Sequence, residues 1–428
     1  MEYKELLEYI YVRHSGNVKL GLDRILNILK SMDEPNRKLK GIHVAGTNGK
    51  GSTCAILESL CMAHGQKTGL NTSPHLVDYR ERIRISGSNI LACDLIRIYL
   101  KWEDVFQKYE ASFFEITTAM AFYYFWEQQV DTAIFEVGLG GRLDGTNPFA
   151  ASVAAITSIS IDHVKSLGNT IKKIAWEKAG IIKPGQDVII GNISEEAYEV
   201  ISDICQQRGA NISRLGLDYK IENIELKEDG TFFDYSDENV TWKGLCVNLI
   251  GEHQAFNAGV AINAFIMMMR KRNEDIDLYK VKLALNSTQW KGRMQVMQKD
   301  PIVILDGAHN EEGIGTLVKN LKKIYAGRKI IFVLAILRDK NLEKMIKDIC
   351  SVADKLIISK NKSNRAAEIA EQVEFAEKYQ ADYETASDVV SGTRRALSIA
   401  AKDDIVIVSG SLYTISEVLA ELEAGENL

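Results

Sequence analysis

Short runs of consecutive apolar residues alternate along this chain with longer segments whose apolar positions recur at helical spacing. In the first half, residues 41–45, 68–72, 130–137, 153–159 and 187–191 read as strands. Helical segments fall between them at 52–64, 94–109, 115–129 and 170–179. Strands that are apolar throughout are buried on both faces, so the pattern predicts a mostly parallel sheet covered by helices. Between residues 217 and 250 the pattern changes to short alternating strands with turns at Asp229-Gly230 and Asp237-Glu238-Asn239. That change predicts a small antiparallel sheet, closed off by a helix over 254–272. After Trp290-Lys291-Gly292-Arg293, strands at 302–305, 329–335, 355–358 and 404–408 alternate with helices at 312–325, 342–351, 366–379 and 386–400. The expected fold is α/β: a P-loop-type, mostly parallel domain over 1–293, then a Rossmann-like doubly wound domain over 294–428.

The segment Gly46-Thr47-Asn48-Gly49-Lys50-Gly51-Ser52 sits between the first strand and its helix. Glycines let backbone N–H groups approach an anion, the helix N-terminus adds partial positive charge, and Lys50 adds a full one. The Ser52 hydroxyl can reach a magnesium ion held between phosphates. The spacing departs from the usual phosphate loop, with Val44 where a glycine is expected and Gly51 inserted between Lys50 and Ser52.

Composition narrows the class. With 428 residues, 46% of them hydrophobic, the chain can bury large cores in two or three domains. A formal charge of −6 without a basic run argues against nucleic-acid binding. No apolar run approaches the roughly 18 residues of a membrane span, and the polar start Met1-Glu2-Tyr3-Lys4-Glu5 lacks a secretory pattern. The six cysteines match no zinc spacing. The expectation is a cytoplasmic protein, monomeric, with neither nucleic-acid nor membrane partners.

Several strand ends carry chemistry that the sequence alone leaves open. Glu136 closes an apolar strand, where it could ligate magnesium or pair with Arg142 or Arg82. His163, in Ile161-Asp162-His163, is a structural histidine or a neutral metal ligand. Ser73, in Thr72-Ser73-Pro74-His75, is a turn residue or a hydroxyl ligand. Lys178 reads by default as a solvated helix lysine, and Asn257 as a cap, a core amide or a reader of a base edge. Asp306-Gly307-Ala308-His309-Asn310 and Ser409-Gly410-Ser411 are turn chemistry, or else contacts to ribose and to an anion.

Taken together, these segments resemble folylpolyglutamate synthase, including its bifunctional dihydrofolate synthase forms, within the Mur-ligase superfamily of ATP-dependent amide-forming enzymes. The matching stretches are Leu20-Gly21-Leu22-Asp23-Arg24, residues 46–52, Thr72-Ser73-Pro74-His75, Arg80-Glu81-Arg82-Ile83, Phe114-Glu115, residues 136–147, Asp162-His163, residues 177–183, residues 306–310 and residues 409–413. They cover nearly the whole chain in order. Two positions depart from the pattern: Lys291 stands where proline is expected, and Gly145 where some bifunctional members have alanine.

The resemblance implies roles. Lys50 and loop residues Gly46, Thr47, Asn48, Gly49, Gly51 and Ser52 would hold the ATP phosphates, with Asn257, Arg293 and Asp306 completing the nucleotide site. Ser52, Ser73, Glu136 and His163 would bind Mg2+, with a monovalent cation such as K+ as a further cofactor. Lys178 would be carbamylated. His309 and Ser411 would hold L-glutamate, and Leu20, Arg82, Phe114, Asp144 and Gly145 the pterin–benzoate end of a reduced folate or dihydropteroate. ATP on one domain and glutamate on the other implies domain closure before reaction. A peptidoglycan-precursor ligase uses the same chemistry, but it carries an extra domain for which the 49 residues before Lys50 are too few. A nucleotide-dependent switch is the other alternative, and the residues around His309 and Ser411 argue against it.

Overall fold

The computed structural model describes residues 1–13 and 21–424. Eight strands form the first sheet: β1 (Gly41–Ala45), β2 (Thr68–Asn71), β3 (Ile83–Ile85), β4 (Ser88–Asn89), β5 (Thr132–Glu136), β6 (Val153–Ser158), β7 (Asp187–Asn192) and β8 (Asn211–Arg214). Their order is β4-β3-β2-β5-β1-β6-β7-β8. From β2 to β8 the neighbours are parallel, whereas β3 and β4 form an antiparallel edge. Every residue of β1 and β5 is buried, as continuous apolar runs require when helices cover both faces. Strand β1 lies at the centre, between β5 and β6, so the loop that follows it opens at a point where strand order reverses.

On one face, the helix Phe113–Glu127 is buried along most of its length. Its Phe122 ring stacks 4.2 Å from Phe135 of β5. The helices Tyr3–Val12, Asp23–Ser31 and Ala92–Lys108 complete that core. On the other face, Ile174, Ala175, Ile201 and Cys205 from the helices Ile171–Ala179 and Glu195–Arg208 pack with Ala154, Ile156, Val188 and Ile190.

The expected antiparallel meander is present as β9 (Tyr219–Lys227), β10 (Gly230–Asp237) and β11 (Thr241–Val247), ordered β11-β10-β9. The helices Glu252–Arg272 and Leu278–Ser287 follow. The chain divides into two compact units. The first comprises 1–223, 233–247 and 254–288, and the second 224–232, 248–253 and 289–428.

The second unit holds β12 (Gln295–Lys299), β13 (Ile302–Leu305), β14 (Ile330–Leu334), β15 (Lys355–Ile358), β16 (Tyr383–Thr385) and β17 (Ile405–Ser409), ordered β12-β13-β17-β14-β15-β16. All neighbours are parallel except the β12–β13 hairpin. Its core gathers Ile304, Leu321, Phe332, Leu334, Ile346, Leu356 and Ile407. Edge strands β12 and β16 carry little apolar signal of their own and form because a neighbour pairs with them. The third helix of this unit starts at Ile369, not near 366, because a capping box between Glu368 and Glu371 fixes its first turn. No helix among the described residues is long and apolar enough to cross a membrane.

Candidate active site

The glycine loop after β1 is stapled to the end of β6. Thr47 N–H donates to the Ser158 carbonyl at 2.8 Å, and Asn48 N–H to Ser158 Oγ at 3.0 Å. The Thr157 hydroxyl donates to the Asn48 carbonyl at 2.6 Å, and Thr47 Oγ1 accepts from Ser160 N–H at 3.1 Å. Glycine is required at two points. At Gly46 a Cβ would fall 1.9 Å from Thr157 Oγ1; at Gly49, with φ of +85°, it would fall 2.2 Å from Asn257 Oδ1. Asn257, from the helix Glu252–Arg272, therefore lies directly against the loop, with its Nδ2 donating to Gln254 Oε1 at 3.0 Å. The helix Lys50–Ala63 begins immediately after Gly49 and has no side-chain cap, so its first N–H groups face the loop. Gly51 lies in its first turn, and Ser52 beside it is buried.

Two lysines converge on one carbonyl. Lys50 Nζ donates to Gly46 O at 3.0 Å and to Thr47 O at 3.1 Å. Lys178 Nζ, arriving from the helix Ile171–Ala179, donates to the same Gly46 O at 2.8 Å. The reading of Lys178 as a solvated residue fails, since only 4% of it is exposed. Burial, and then the Lys50 charge, pull its pKa down to about 7, while Asp162 and Asp144 act in the opposite sense. The helix that carries it is clamped to the loop after β5. Arg142 N–H donates to the Glu177 carbonyl at 2.7 Å and Arg142 Nη2 to Glu177 Oε1 at 2.8 Å. Asn147 Nδ2 donates to the carbonyls of Arg142 and Gly180.

Glu136 and Ser73 meet at the ends of β5 and β2, where Ser73 N–H donates to Glu136 Oε2 at 3.0 Å. Arg142, one of the two suggested partners of Glu136, pairs with Glu177. His163 lies in the loop after β6, its ring half exposed and its Nε2 4.0 Å from Asp162 Oδ2. Among the described residues no group of three or more His, Cys, Asp or Glu side chains could hold a metal by itself. One carboxylate, with the hydroxyl residues Ser52 and Ser73 on the same edge of the sheet, fits Mg2+, which takes its other ligands from water and phosphate oxygens. All these residues share the carboxyl edge of the first sheet.

Phe114, Asp144 and Gly145 form a group on that edge. The Phe114 ring lies against both Gly138 and Gly145, and Asp144 Oδ2 lies against Gly138. Asp144 is buried and accepts from Leu139 N–H at 2.8 Å and Thr146 N–H at 2.9 Å. Burial raises its carboxyl pKa, and these donors oppose the rise. Arg82 is buried too; its Nε donates to His75 Nδ1 at 2.7 Å and its guanidinium lies 5.0 Å from the Phe113 ring centre. Burial, and then the Arg82 charge, hold His75 down at about 3, so its ring is neutral. Leu20 lies outside the described residues.

In the second unit the candidates gather on the carboxyl edge of the sheet, after the adjacent parallel strands β13 and β17. Asp306 accepts from Met294 N–H at 2.8 Å and Ala308 N–H at 2.9 Å, and burial raises its pKa against the opposing Arg293 charge. A Cβ on Gly307 would lie 2.9 Å from Arg293 Nη1, so the guanidinium sits over this turn. His309 Nδ1 is 2.9 Å from the Gly307 carbonyl, an acceptor, which fixes Nδ1 as the protonated nitrogen. Ser411 caps the helix Leu412–Glu423 by accepting from Thr414 N–H at 3.0 Å, and it also accepts from Asn361 Nδ2 at 3.2 Å. Because the Thr414 hydroxyl donates to Ala335 O, the Ser411 hydroxyl proton points to Thr414.

The sequence reading missed Thr157, Ser158, His75 and Asn361. Thr157 and Ser158 had a usable signal, two small hydroxyl residues at the end of an apolar strand. Asn361 had none, because its partners lie about fifty residues away in sequence.

A phosphate loop at a switch point, a buried lysine on its carbonyl and a second doubly wound unit define a nucleotide-dependent ligase of the Mur type. Residues 44–265 match the Mur ligase middle domain, and residues 292–412 match the Mur ligase glutamate ligase domain. The dihydrofolate synthase/folylpolyglutamate synthase of Bacillus subtilis is 34% identical over 98% of this chain and 99% of its own length. Mycobacterium tuberculosis folylpolyglutamate synthase complexed with ADP superposes with a TM-score of 0.91 at 29% identity, covering 97% of each chain. Escherichia coli FolC in complex with DHPP and ADP gives 0.90 at 29% identity, covering 99% of this chain and 98% of its own. The chain belongs to the folylpolyglutamate synthase/dihydrofolate synthase family of ATP-dependent ligases, and the peptidoglycan-precursor alternative gives way to it.

Proposed function

We propose that this enzyme joins L-glutamate to the carboxylate of a reduced folate, extending a polyglutamate tail, and to that of dihydropteroate. A carboxylate oxygen is a poor leaving group until it is phosphorylated. Transfer of the ATP γ-phosphoryl group gives an acyl phosphate and ADP. The glutamate amine then attacks the acyl carbon, loses a proton, and inorganic phosphate departs. The observation that carries the reading is the convergence of Lys50 and Lys178 on the Gly46 carbonyl, one strand from the Glu136–Ser73 pair.

In this reading Lys50 and the loop N–H groups of residues 46–52 bind the phosphates, and Asn257, Arg293 and Asp306 also bind nucleotide. Ser52, Ser73, Glu136 and His163 hold Mg2+, which supplies charge neutralisation on the transferring phosphoryl group. A monovalent cation such as K+ belongs to the same proposal, tested by replacing it with a large organic cation. Lys178, with its pKa near 7, has the neutral amine that adds to CO2 with loss of a proton, giving a carbamate. His309 and Ser411 hold glutamate, and His309 Nε2 is the basic nitrogen able to take the amine proton. Leu20, Arg82, Phe114, Asp144 and Gly145 hold the pterin–benzoate end. The division into 1–293 and 294–428, a monomeric state, a cytoplasmic location and exclusively small-molecule partners complete the proposal.

The test is to incubate the enzyme with ATP, Mg2+ and glutamate, offering dihydropteroate or tetrahydrofolate separately, and to weigh the products. Both should gain one glutamate residue. Failure with dihydropteroate restricts the enzyme to polyglutamylation, and phosphate release independent of both acceptors refutes the ligase reading.

A further inference from the structure

His43 is fully buried in the middle of β1, three residues before the glycine loop, and the ligase reaction has no use for it there. Its Nε2 lies 2.8 Å from Thr146 Oγ1, and its Nδ1 is buried with no hydrogen-bond partner among the described residues. The Thr146 hydroxyl in turn reaches Asp144 Oδ1, which also accepts the Thr146 backbone N–H. Asp144 Oδ2 accepts from Leu139 N–H and lies beside the Phe114 ring on Gly138.

A hydroxyl has one proton to give. With Asp144 as the acceptor of three donors, the Thr146 proton goes to the carboxylate, so His43 donates from Nε2. We propose that His43 and Thr146 are positioning residues that hold the Asp144 carboxylate fixed in rotation as the acceptor for the amino and amide N–H groups of the pterin ring. The proposal rests on the assignment of Asp144 to the folate site made above.

Burial keeps the His43 ring neutral, with its pKa down at about 3, so the ring has one N–H to place. The bare Nδ1 then loses little, because a buried lone pair is cheaper to leave unpaired than a buried N–H. The ring is further fixed edge-on to Phe149, with centroids 6.0 Å apart. His43 and Thr146 are 103 positions apart, so only the fold brings them together.

The experiment compares Thr146→Val, Thr146→Ser and Asp144→Asn for KM toward tetrahydrofolate, toward an analogue lacking the pterin 2-amino group, and toward ATP. Thr146→Val should raise KM for tetrahydrofolate roughly tenfold, with little change for the analogue or for ATP, and Thr146→Ser should restore it to within about twofold. Thr146→Val leaves the His43 N–H unpaired and lowers the thermal midpoint by itself, so an unchanged ATP KM is the control that excludes a general loss of structure. Should Asp144→Asn raise the folate KM while Thr146→Val leaves it alone, the relay is wrong and the folate site stands. If neither variant changes it, the assignment of Asp144 itself falls, and the proposal with it. Independently of activity, the spectrum of 15N-histidine-labelled protein should show His43 protonated on Nε2 throughout the neutral pH range. Protonation on Nδ1 would overturn the relay.

Discussion

Replacing Lys178 by methionine should stabilise this enzyme while abolishing its chemistry, and the gain should depend on pH. Lys178 is 4% exposed, and its pKa falls from 10.5 to about 7 in the folded protein. At 1.36 kcal/mol per unit, that fall corresponds to about 5 kcal/mol between protonation states. Its folded pKa lies below its unfolded pKa, so between these two values the unfolded chain binds more protons and stability rises with pH. Below about pH 7 the full cost of the buried ammonium is present, and it is relieved as pH climbs toward 10.5. Methionine carries no such cost but forfeits the hydrogen bond to the Gly46 carbonyl, about 1 kcal/mol. The expected net gain is therefore about 4 kcal/mol near pH 6, shrinking to about 1 kcal/mol near pH 9. Urea unfolding of both proteins in CO2-free buffer at the two pH values measures it, following the transition of the first unit. A difference between wild type and Lys178→Met that does not change with pH would refute the buried-amine argument. In Lys178→Ala, which vacates the space that methionine would fill, phosphoryl transfer should be crippled, with partial rescue by short carboxylates that replace a carbamate.

Three further outcomes follow from the geometry. Gly49→Ala forces a Cβ to 2.2 Å from Asn257 Oδ1 at a φ of +85°, so ATP affinity measured by calorimetry should fall at least about tenfold. Glu136→Gln removes the carboxylate charge beside Ser73, and the Mg2+ concentration for half-maximal rate should rise by about tenfold or more, with glutamate KM unaltered. Ser411→Ala deletes a helix cap and a partner of Asn361, costing about 1 kcal/mol of stability in denaturant titration, and it should raise glutamate KM without changing ATP binding.

Much of the architecture was legible along the chain because its signals are local. An apolar run such as β1 specifies a doubly covered strand wherever it pairs, and Gly49 followed by Lys50 specifies a turn into a helix. The change of pattern after residue 217 likewise gave the meander with both of its turns. Elements with little apolar content, such as β12 and β16, were invisible because their neighbours, not their own side chains, make them strands. The same contrast runs through the site. Gly46, Lys50 and Ser52 stand together in sequence, so their spacing alone pointed to a phosphate. Lys178 stands 132 positions from Gly46, and nothing in its own segment distinguishes it from an exposed lysine.

What the sequence determined by itself was therefore the order of strands and helices, the phosphate loop, and, through the matching segments, the family. Tertiary structure alone decided which side chains meet: Thr157 on the Asn48 carbonyl, Lys178 on Gly46, Ser73 on Glu136, and His43 on Thr146. Folding brings these pairs into low dielectric, where a lysine loses its proton more readily and a carboxylate depends on every donor around it. Spacing is a property of the chain. Burial and partnership, which set the chemistry, belong to the fold.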